Sequence, residues 1–160
     1  MSTVLLDAAG IAARIPHAGR MCLLDALLAW NADEVRCRAT SHADADHPLR
    51  GPDGLHASSA IEYAAQAMAL HGALHAAPGS TPSPGFLAAA RQVRLHVPRL
   101  DTVAGPLTVI ATRLAGAENQ ASYRFVLEDE AGRPLVDGRA TVVLNTPLVM
   151  SCAASACMAN

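Results

Sequence analysis

The chain has 160 residues, 51% of them apolar and only 3% aromatic, with a formal charge of −2. That length suits one domain with a sizeable core, and a near-neutral balance without any basic run speaks against a nucleic-acid surface. All twelve basic residues are arginines, a compositional bias from which no mechanism follows.

MSTVLLDAAG at the start places an acid where a secretion signal carries basic residues. No stretch reaches the roughly 18–20 uninterrupted apolar residues of a membrane span, so a cytoplasmic protein is expected. Leu5 to Arg14 has the pattern of a short amphipathic helix, stopped by Ile15-Pro16. MCLLDALLAW (21–30) is expected as a strand, although its leucines would also suit a helix. After the polar turn Asn31-Ala32-Asp33, EVRCRAT (34–40) alternates Val35, Cys37 and Ala39 with Glu34, Arg36 and Arg38. That period of two predicts a half-buried strand. Cys22 and Cys37 would then be buried strand thiols, and no cysteine pair has zinc-ligand spacing.

SHADADHPLRGPDG (41–54) is rich in Pro, Gly and Asp and reads as a loop. A long alanine-rich helix is expected from roughly Ala57 to Ala76, with Ser58 or Ser59 as its N-cap. APGSTPSPG (77–85) breaks it. Strands are expected at 87–97, 106–116, 121–130 and 135–144, with turns at Glu118-Asn119 and Ala131-Gly132-Arg133-Pro134. The tail 146–160 has no strong pattern and is left unassigned beside a single domain of residues 1–145. Strands on either side of one helix imply an α+β fold with an antiparallel sheet on that helix. The small residues Ala64, Ala65, Ala67, Ala69, Gly72 and Ala73 would let a curved sheet close around it as a hotdog fold.

Glu62 is the polar residue that asks for a reason. A first-turn glutamate complements the helix dipole, yet this one lies between Ile61 and Tyr63 on a helix fit for enclosure. Gln66, one turn on, could hydrogen-bond it. In the loop, His42, Asp44, Asp46 and His47 could ligate a metal or be solvated. No second ligand cluster accompanies them, so no metal is expected. A single loop imidazole facing Glu62 would instead supply a base and an acid. His17 is expected to fix the start of the first strand, and His71 and His75 to lie near the solvated end of the helix. His96 would be structural, and His56 lies close enough to reach the helix start.

IPHAGRMCLLDALLAW resembles the opening of the 3-hydroxyacyl-[acyl-carrier-protein] dehydratases, with Asp25 as the aspartate that ends its apolar stretch. IEYAAQAM (61–68) resembles their central-helix signature, and GFLAAARQVRLHVPRLDT fits downstream. SHADADHPLR and IEYAAQAMALHGAL are most similar to the hotdog dehydratase-like proteins of aryl-polyene pigment clusters.

The resemblance, over residues 10–145, implies dehydration of 3-hydroxyacyl thioesters to 2-enoyl thioesters, without metal or redox cofactor, in fatty-acid or polyene-type biosynthesis. It makes Glu62 the acid and a loop histidine the base, with His47, fifteen residues earlier, ahead of His42, twenty earlier. It places substrate contacts at Ala57 and Ser58, whose N–H groups would polarise the thioester carbonyl; Gln66, beside Glu62, and His56, near the helix start, are further candidate substrate contacts. It also implies a homodimer, or a heterodimer with another hotdog dehydratase, served by an acyl carrier protein for which Arg50, Arg91, Arg94 and Arg99 are candidate contacts. The alternatives are a hotdog thioesterase and a non-catalytic acyl-binding or structural subunit.

Overall fold

The computed structural model describes residues 3–79 and 85–144. The tail, with Cys152 and Cys157, lies outside the described residues, as does most of the predicted breaker. A two-residue strand β1 (Leu6–Asp7) leads into the short helix α1 (Ala8–Ala12), where the Asp7 carboxylate accepts from the Gly10 N–H at 2.8 Å. This cap and the buried Ile11 explain why so short a helix holds.

The predicted strand 21–30 is shortened to β2 (Ala26–Trp30). Residues 22–25 are held by other means: Gln66 Oε1 accepts from Leu23 N–H at 2.9 Å, and Ser41 Oγ donates to the Leu23 carbonyl at 2.9 Å. Cys22 is therefore not a strand residue, and its thiol contacts the His17 carbonyl at 3.2 Å. Cys37 lies in β3 (Glu34–Ala39), fully buried, and burial pushes its thiol up to about 12.

Four long strands complete the sheet: β4 (Gly85–Leu95), β5 (Leu107–Ala117), β6 (Gln120–Glu128) and β7 (Pro134–Leu144). The strand order is β1-β2-β3-β5-β6-β7-β4, with every pairing antiparallel. β6 stops at Glu128 because the Asp129 carboxylate collects the N–H groups of Ala131 and Arg133 and so builds the turn. Gly138 sits opposite Phe125, whose ring would lie 3.0 Å from a Cβ there, so only glycine admits the ring at that distance.

The long helix α2 (Ala60–His75) lies on this sheet and is entered through a 3₁₀ turn, Ala57–Ser59. Ser59 occupies the N-cap position but its side chain caps nothing, and the 3₁₀ turn makes the start instead. Tyr63, Ala64, Ala67, Met68 and Leu70 enter the core with Leu24, Leu27, Val109 and Phe125. The helix is not wrapped all round: Gly72 and Ala76 are exposed, and Glu62, Ala65, Ala69 and Ala73 are only partly covered. These positions recur at helical spacing and form one open stripe. No helix among the described residues is long and apolar enough to cross a membrane.

Candidate active site

The open stripe of α2 is one wall of a cleft of about 500 Å³. Phe86 and Leu87 of β4 with Val142 and Leu144 of β7 form the facing wall, and Arg14, Pro16 and His17 close one end beside Glu62. From Glu62 to Ala76 the helix rises about 21 Å. Small residues are what keep this length clear, since a Cβ at Gly72 would meet nothing within 4 Å.

At the polar end, two side-chain nitrogens meet Glu62 Oε1, and the Gln66 amide donates to it. His17 Nε2 lies 2.9 Å away and Gln66 Nε2 also 2.9 Å. Gln66 is fully buried and rigidly held, because its Nε2 also donates to the Met21 carbonyl at 2.6 Å while its Oε1 takes the Leu23 N–H. The pairing expected from the four-residue spacing is thus present, and Gln66 also ties the helix to the segment after the Pro-His element. Both bonds fall on Oε1, which leaves Oε2 uncommitted among the described residues. The His17 Nδ1 is buried without a hydrogen-bond partner among them, so His17 can exchange protons only through Nε2.

His47 is elsewhere. Its Nδ1 accepts from Leu49 N–H at 3.0 Å, which fixes the neutral ring with its proton on Nε2, 3.0 Å from the Tyr63 hydroxyl. Tyr63 then donates to Ser41 Oγ at 2.8 Å, and Ser41 donates onward to the Leu23 carbonyl. Burial is the main cause that lowers the His47 pKa and raises that of Tyr63 to about 12. This relay is fully satisfied. It borders a separate small polar pocket with Arg20, Cys22, Ser41, Asp44, Asp46 and Pro48. Tyr63 and Glu62 are helix neighbours about 100° apart, and the two histidines approach α2 from different sides. Within one chain His47 bonds to Tyr63 and the imidazole in contact with the Glu62 carboxyl is His17. The Pro-His element was the signal for it, read chiefly as an anchor for the first strand.

The remaining loop residues disperse. His42 is buried, its Nε2 3.2 Å from the Val103 carbonyl, and Asp46 pairs with Arg20 at 2.7 Å. Among the described residues no three metal-ligating side chains converge. Ala57 N–H donates to the Pro98 carbonyl at 3.0 Å, so it cannot polarise a substrate carbonyl as expected. Ser58 and His56 are exposed beside it, and His56 pairs in a β-bridge with Arg99. Arg50 and Arg99 share Asp101 at 3.0 and 2.5 Å, which holds that carboxyl well below its usual range, whereas Arg91 and Arg94 stand exposed on β4. Asp25 is a scaffold group that accepts from Arg38 at 2.6 Å and Thr40 at 2.8 Å.

This architecture is similar to solved structures. A chain of the dehydratase heterocomplex ApeI:P from Xenorhabdus doucetiae shares 27% identity at a TM-score of 0.76, over 85% of this chain and 91% of that one. AziG from S. sahachiroi matches at 15% identity and TM-score 0.57, over 74% and 88% of the two chains. A thioesterase from Staphylococcus aureus matches at 12% and 0.58, over 75% and 92%. These last two bear on the fold alone, and together with the first they identify it as the hotdog fold. No curated protein matches the chain significantly. The profile of the ApeP-like family, described as ApeP dehydratase, matches residues 9–151, from α1 through every strand that follows it. A match of that extent means that the chain belongs to the ApeP-like dehydratase family.

Proposed function

We propose that this chain supplies the carboxyl-bearing site of a hotdog dehydratase, which removes water from 3-hydroxyacyl thioesters held on an acyl carrier protein in aryl-polyene or fatty-acid type biosynthesis. The observation that carries this reading is the Glu62–His17 pair, 2.9 Å apart, at the polar end of a long apolar cleft. The acyl chain would lie along Ala65, Ala69, Gly72 and Ala73 with its C2 and C3 carbons at Glu62. A base takes the C2 proton, the freed pair forms the C2–C3 double bond, and the C3–O bond breaks as the carboxyl protonates the departing oxygen. For His17 to be that base, its Nε2 must offer a free lone pair to the C2 proton with the ring proton on Nδ1; the proton so gained at Nε2 then returns to Glu62 across their contact and resets the site.

For His47 to act as base toward a partner subunit's carboxyl, its ring must first release the Leu49 N–H bond, since both ring nitrogens are engaged within its own chain. A paired assembly is favoured by β4, an eleven-residue edge strand whose Phe86 and Leu87 are 39% and 40% exposed beside the cleft. The ApeI:P heterocomplex supports a second hotdog dehydratase as the partner.

The test is to incubate the chain, alone and with such a partner, with a carrier-linked 3-hydroxyacyl thioester. Enoyl absorbance without free thiol is the expected result when the partner is present. Free thiol without enoyl product would make the protein a thioesterase, and no product in either mixture would leave it a binding subunit.

A further inference from the structure

We infer that the outer face of the sheet, opposite the cleft, docks a carboxylate-bearing helix of a partner protein across Arg91, Arg139 and Arg124. The register places Arg91 of β4 directly opposite Arg139 of β7, and Arg139 directly opposite Arg124 of β6. Residues directly opposite share a face, and the flanking Tyr123, Phe125 and Ala140 are buried on the inner one. Three exposed guanidinium groups therefore stand in a row on adjacent strands about 4.8 Å apart. Like charges so placed destabilise a sheet.

Nothing among the described residues neutralises them. Arg20, Arg38, Arg50, Arg99 and Arg133 each reach a carboxylate within 3.0 Å, whereas these three form no ion pair. Asp137, next along β7 on the same face, is held by His96 at 2.6 Å. At the far end of the row Thr112 intervenes before Glu34, which is itself hydrogen-bonded to Thr112 at 3.2 Å. Carboxylates three or four residues apart on a helix lie about 5–6 Å from one another, which matches the strand spacing. A helix crossing the strands can thus give each arginine its own carboxylate. This surface is independent of the dehydratase reading.

The probe is a labelled helical peptide with three glutamates on one face, compared with a peptide of the same composition whose glutamates are scattered. Anisotropy at low salt should show the first binding, weakened about tenfold or more by the double variant R124Q/R139Q and by added salt. The same variant should melt above the wild type at low salt, with the gap closing as salt rises. Unchanged affinity in the variant, equal binding of the scattered peptide, tighter binding of heparin or phosphatidylserine vesicles, or no gain in melting temperature would overturn the proposal.

Discussion

Gly72 separates the helix from the cleft it lines. It stands inside α2, yet a Cβ there would meet no atom within 4 Å. Gly72→Ala should therefore carry only the helix-propensity gain, about 1 kcal/mol, which is roughly 2–4 °C in melting temperature for a chain of this size. Gly72→Leu should keep most of that stability but push a branched side chain into the space between Ala69, Phe86 and Val142. If it excludes four methylenes of a bound acyl chain, at about 0.8 kcal/mol each, affinity for long-chain substrates falls by roughly 3 kcal/mol, or about two orders of magnitude. Short-chain substrates that stop before Gly72 should bind as before. Differential scanning fluorimetry and a chain-length series of acyl thioesters read the two effects separately. An alanine variant that melts lower, or a leucine variant that binds long and short chains as the wild type does, would refute the placement of the acyl chain along this stripe.

Gln66→Ala should strand the Leu23 N–H and the Met21 carbonyl, at about 1–3 kcal/mol for each buried group; urea denaturation checks this, and a loss below about 0.5 kcal/mol would contradict it. Stability should fall as pH drops below about 6.5. His42, His47 and His71 are buried, and burial is the main cause that lowers each pKa. The unfolded chain then binds protons that the folded chain does not, at up to about 1.4 kcal/mol per pH unit for each histidine. Asp129, held low by the Arg133 backbone and guanidinium, contributes stability above the unfolded carboxylate pKa that is lost only at more acid pH. Urea midpoints at pH 7.5 and 5.5 test the histidine effect, which His47→Gln should reduce; a flat profile would contradict it.

The order of strands and the long helix were legible because β3, β6 and β7 alternate with period two and because α2 is bounded by Pro- and Gly-rich segments. Residues 21–25 read as strand because the stretch is apolar and long enough, and sequence cannot tell burial by side-chain anchoring from burial in a ladder. The open stripe of α2 escaped notice for a related reason: alanine suits both a packed face and an empty cleft wall. Glu62 and Gln66 were legible from their spacing. His17 was not, since its approach to Glu62 depends on a chain path that only the Gln66 clasp on Met21 and Leu23 reveals. Chain proximity alone does not say which helix residue His47 meets, and in its own chain that residue is Tyr63, the neighbour of Glu62.

Glu62→Gln keeps the hydrogen bonds' length and shape while removing the proton that dehydration needs. Single-turnover dehydration by the assembled complex, with substrate binding measured in parallel, is the most direct measurement. The expected rate is lower by about two orders of magnitude or more with affinity nearly unchanged. A variant that turns over at the wild-type rate would contradict it.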